Sequence, residues 1–63
     1  MTFDEAVKLV SQWPGDRSVP RKLKAGIDAA TGLDQALMGQ LVEALIVAAE
    51  TPADMKLIQK FFE

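Results

Sequence analysis

The chain has 63 residues, 49% of them hydrophobic and 25% charged, with a formal net charge of −2 and neither cysteine nor histidine. That length allows one domain, 1–63, and a chain so short buries only about 60% of its unfolded surface, which leaves a thin stability margin. Disulfides and the usual zinc ligands are excluded together, so efficient helix packing or a second chain has to complete the core.

The first residues, M-T-F-D-E, are acidic where a secretory leader would be basic and apolar, so none is expected here. Thr2 to Trp13 reads as a helix. Thr2 and Glu5 make a T-x-x-E capping box, and Asp4 and Glu5 suit the positive end of the helix dipole. Phe3, Ala6, Val7, Leu9, Val10 and Trp13 cover one face, with Asp4, Glu5, Lys8, Ser11 and Gln12 on the other. Pro14-Gly15 stops it.

Pro20 pushes Val19 away from the α region, so the second helix is expected over 20–30 with Ser18 or Val19 at its cap. Its apolar stripe, Val19, Leu23, Ile27 and Ala30, is narrow. Gly26 beside it costs about 1 kcal/mol of helix propensity, and either admits a close backbone or is a tolerated defect. Gly32 suits the left-handed position that closes the helix.

The third helix, 34–49, organises the rest. Asp34 is placed to cap it, with Leu33 and Met38 as a hydrophobic staple. Only Asp34, Gln35, Gly39, Gln40 and Glu43 interrupt its apolar run, and Ile46 and Val47 widen the apolar arc beyond one half of the helix. A surface helix shows a narrower stripe, so contact from several sides is expected. Thr51-Pro52-Ala53-Asp54 then starts a fourth helix, 52–62. Met55, Leu57, Ile58, Phe61 and Phe62 gather on one side of it. The expected fold is all-α: a compact bundle of four short helices packed around the third. The longest apolar run, Ala44 to Ala49, is far below the roughly 20 residues of a membrane span, and the chain reads as a small acidic cytoplasmic protein.

Chemistry finds little foothold. Without histidine, cysteine or tyrosine the commonest general bases and the strongest nucleophile are missing, so no catalytic residue and no enzyme is expected. Glu43 and Glu50 share a face as in carboxylate-bridged metal sites, but such sites add an E-x-x-H that this chain lacks; no metal and no cofactor is expected. No Gly-rich phosphate loop occurs, and no small-molecule substrate is suggested. An acyl or peptidyl carrier domain is also a small acidic four-helix fold, but it needs a serine at the start of its second helix. The local G-L-D-Q-A-L has none.

Two features remain. Arg17, Arg21, Lys22 and Lys24 lie close together with no acid among them, a solubilising face or a patch for phosphate backbones or an acidic protein. A helix-turn-helix over the second and third helices fails, because the would-be recognition helix carries no lysine or arginine. The second feature is surplus apolar surface. Ile46 and Val47 flank the third helix's core face, Phe61 and Phe62 sit on a terminal turn, and Trp13 suits either the core or an interface anchor. The expected function is a non-enzymatic protein-interaction module of adaptor, inhibitor or regulator type. It would bind a protein partner, or itself as a homodimer, through an apolar seam on helices 3 and 4. The alternative is an accessory nucleic-acid binder that uses the basic cluster.

Overall fold

The computed structural model describes residues 1–62. Four helices follow one another: α1 (Phe3–Val10), α2 (Val19–Ala29), α3 (Gly32–Ala48) and α4 (Pro52–Phe62). Among the described residues there is no strand, and no helix is long and apolar enough to cross a membrane. The all-α class and the four-helix order are those the hydrophobic periodicity predicts.

α1 starts as its capping box requires. The Glu5 N–H donates to Thr2 Oγ1 at 3.2 Å, and the Thr2 N–H donates back to Glu5 Oε1 at 2.9 Å. Hydrogen bonding from Thr2, first from its N–H and then from its side chain, holds the Glu5 carboxyl below its ordinary value. The helix ends at Val10, short of the expected Trp13. The N–H groups of Gln12 and Trp13 reach carbonyls only three residues back, at 3.1 Å each, so the last turn tightens. Pro14 is the physical reason: it has no N–H for the Val10 carbonyl four residues back, and its ring would crowd that carbonyl if the α-helix ran on.

α2 is entered through a side-chain turn. Ser18 occupies the N-cap without a capping bond of its own; instead Asp16 Oδ1 accepts from the Ser18 N–H at 2.9 Å and from its hydroxyl at 2.6 Å. Those bonds lower the Asp16 carboxyl from its ordinary value. The helix then buries Val19, Pro20, Leu23 and Gly26. What approaches Gly26 is side chain rather than backbone. A Cβ there would lie 2.8 Å from Met1 Sδ and 3.1 Å from Met38 Cε.

α3 begins two residues before the expected Asp34. Gly32 does adopt a left-handed φ of 60°, but as the first residue of α3 rather than as the closing residue of α2. Thr31 is the N-cap, with no side-chain bond, and Asp34 falls within the first turn, where it still faces the helix dipole. The earlier start overturns the staple: Leu33 becomes an outward helical position while Met38 is fully buried. At the other end, the Ala49 N–H turns to the Ile46 carbonyl, and Trp13 Nε1 donates to the Leu45 carbonyl at 3.0 Å. An indole from the α1–α2 connection thus satisfies a C-terminal carbonyl of α3, where neither a glycine nor a cation is present to do so.

α3 packs against each of the other helices, as expected, but α2 does so as well; α1 and α4 do not meet. α2, with the narrowest apolar stripe, therefore shares the centre of the bundle. The core is Ala6, Trp13, Val19, Leu23, Met38, Leu45 and Ile58, drawn from every helix and from the first connection. Leu23, Met38 and Leu45 are completely buried, each contributing about 1.5–3 kcal/mol.

Candidate interaction surface

α3 has two apolar sides, and the bundle covers one of them. Met38 and Leu45 point inward, with Leu41, Val42, Ala48 and Ala49 half-buried around them. On the opposite side, Leu33, Leu37, Gln40, Ala44 and Val47 form one line along the helix, with successive steps of four, three, four and three residues. Leu33 is 74% exposed and Val47 84%; Ala36, Gln40 and Ala44 are exposed and Leu37 is half-buried. Asp34 and Glu43 stand on the two flanks of this ridge, and α3 has no lysine or arginine anywhere along it.

Ile46 does not belong to the ridge. Successive residues of a helix diverge by about 100°, so Ile46 lies on the arc of Val42 and Gly39, while Val47 continues the line from Ala44. Ile46 is 43% exposed. The two residues widen the apolar arc in different directions and do not make one patch.

The other apolar candidates are drawn inward. Trp13 is 5% exposed and belongs to the core, with its indole N–H used on α3. Its position before Pro14, outside any helix, is what lets the ring reach across to the end of α3. Phe62 packs partly against the core. Phe61 is half-buried, with Lys60 Nζ 5.6 Å from its ring centroid. Among the described residues the exposed large apolar side chains are Met1, Val7, Leu33, Ile46 and Val47, none of them on α4. The exposed part of the expected seam is thus an α3 feature.

The basic cluster is divided by the fold. The Arg17 guanidinium binds Asp54 Oδ1, donates to the Pro14 carbonyl at 3.4 Å and lies 4.9 Å from the Trp13 ring centroid. Lys24 pairs with Asp28 at 3.0 Å, one turn along α2. Arg21 and Lys22 are exposed. Two of the four cations are therefore tied to acids of the same chain.

Asp54 is the residue that sequence reasoning undervalued. As the third residue of α4 it completes a reciprocal cap: its N–H donates to Thr51 Oγ1 and the Thr51 N–H donates to its Oδ2, both at 3.2 Å. Its Oδ2 also accepts the Glu50 N–H at 2.8 Å, and Arg17 takes Oδ1. The residue is 4% exposed. The Glu50 N–H first, then Arg17 and Thr51, hold its carboxyl at about 2 against an ordinary 3.8, more than offsetting the opposite pull of burial. The T-P-A-D start signal announced the cap. Nothing local announced the ion pair, whose partners lie 37 residues apart.

No pocket opens among the described residues. No family model matches this chain, and no curated protein or solved structure matches it either.

Proposed function

We propose that the protein is a small non-enzymatic interaction module, of adaptor, inhibitor or regulator type, which contacts another protein chain through the outward ridge of α3. The exposure of Leu33 and Val47 on a helix whose other side is core carries this reading. A surface helix of a monomer normally turns polar residues outward, and contiguous apolar surface on a small domain marks a contact site. The acids flanking the ridge would bound the contact and restrict the partner's orientation rather than supply its affinity. The basic stretch supports a nucleic-acid reading less well, since Arg17 and Lys24 already have carboxylate partners and no aromatic side chain stands free beside Arg21 and Lys22.

The test is capture from host extract with three baits: the parent chain, Val47→Glu and Arg21→Glu. Proteins retained by the parent and by Arg21→Glu but lost with Val47→Glu support the ridge. If Val47→Glu, still folded, retains the same set as the parent, the ridge is not the contact face. Loss with Arg21→Glu alone would move the function to the basic stretch.

A further inference from the structure

The geometry points to a second copy of this chain as the partner of the α3 ridge, paired antiparallel to the first with Gln40 on the two-fold axis. This rests on the reading of the ridge as a contact face and adds what covers it. Steps of four, three, four and three are the spacing by which one helix lays a continuous seam along another. The ridge is also self-complementary about its middle. Leu33 and Val47 lie equally far on either side of Gln40, while Leu37 and Ala44 lie three and four residues from it. An antiparallel copy therefore sets each Leu33 against Val47 of the second copy, two large apolar side chains at each end of the seam, and each Leu37 over the small Ala44 nearer its middle. Such a face, the same patch used on both partners, is what a closed two-fold dimer requires.

Gln40 would be a defect against an apolar partner, because its amide would be buried without a bond. Against its own copy it has the right chemistry: each amide carries donor and acceptor, and two of them facing each other satisfy one another. One polar residue in an apolar seam also fixes the register. The charges agree with this arrangement. Asp34 comes beside Ala48 of the second copy and Glu43 beside Ala36, so no two acids of the ridge confront each other although α3 has no cation to neutralise them.

The area sets the strength. A stable interface takes about 800 Å² from each partner, which is a large share of the 3987 Å² that this chain exposes. One face of a 17-residue helix, about 25 Å long, offers less than that. The dimer is accordingly one that forms with concentration and reverses on dilution.

Two experiments on the whole chain test this. Sedimentation equilibrium from micromolar to millimolar concentration should show the mass rising from 6.9 kDa toward twice that value. Because the chain has no cysteine of its own, introduced thiols then read the register directly. A disulfide needs Cα atoms within about 4.4–6.8 Å. Gln40→Cys should cross-link to itself under mild oxidation. Leu33→Cys should not, yet it should form a mixed disulfide with Val47→Cys. A mass fixed at the monomer value throughout would overturn the proposal, as would Leu33→Cys linking to itself as readily as Gln40→Cys, the mark of a parallel pair. Should the chain stay monomeric while the ridge still captures another protein, the second copy is refuted and the interaction module stands. Should both fail, the ridge reading falls with it.

Discussion

Trp13→Phe is the sharpest test of how the bundle is tied together. The substitution keeps an aromatic face beneath Arg17 and most of the buried apolar volume, and removes the indole N–H that reaches the Leu45 carbonyl. That carbonyl lies at the end of α3, where the Ala49 N–H has already turned to Ile46. Leaving a buried acceptor unpaired costs about 1–3 kcal/mol, and the void left by the smaller ring adds about 1 kcal/mol. The sum, about 2–4 kcal/mol, is a large fraction of the roughly 3–9 kcal/mol available to a chain of this length. At about 8 °C per kcal/mol for so small a domain, the thermal midpoint should fall by roughly 15–30 °C. Far-UV circular dichroism of parent and variant reads this without needing the lost tryptophan. A fall of under about 5 °C would show that the indole bond is dispensable and that Trp13 is kept for something other than closing α3.

Asp54 makes stability depend on acid. Its folded carboxyl titrates at about 2 and its unfolded one near 3.8, so its contribution is fully present above the upper value and drains away as the pH falls toward the lower. Urea midpoints taken across that window should drop for the parent. Asp54→Asn should start lower and drop less; equal losses in the two would remove Asp54 as the source. Gly26→Ala trades about 1 kcal/mol of helix propensity against crowding. The Met1 end is half-exposed and can swing aside, whereas buried Met38 has only to yield slightly, so the thermal midpoint should rise, by less than about 8 °C. A fall instead would show that Met38 cannot move. Thr2→Ala should cost about 1 kcal/mol through loss of the cap and fray α1 first, which amide hydrogen exchange at Ala6 and Val7 would report.

What was legible in the sequence was what neighbours in the chain decide among themselves. The Thr2–Glu5 box, the Thr51–Pro52 start and the 3.6-residue stripes each involve residues within one or two turns, and the four helices appear where those signals lie. The errors share the opposite cause. Trp13 fits the α1 stripe on paper, but Pro14 ends the helix early and sends the ring to α3. Leu33 looked like a staple because Asp34 looked like a cap, yet Gly32 can open the helix two residues sooner, which turns Leu33 to the outside. Arg17 read as one member of a basic cluster because its acid, Asp54, is far away in the chain. α2 has a narrow apolar stripe, and the fold uses that stripe fully by burying it among three neighbours. The surplus apolar character of α3 was visible from the start. Which side of it stays uncovered depended on where α1, α2 and α4 dock.

The claim that matters most is that this uncovered side of α3 is a contact face and no part of the chain's own core. Val47→Glu tests it when thermal midpoint and sedimentation mass are measured together on the same samples. With Val47 84% exposed, the midpoint should move by only a few degrees while the concentration-dependent rise in mass disappears. A variant that unfolds, or one that associates as strongly as the parent, would contradict the account.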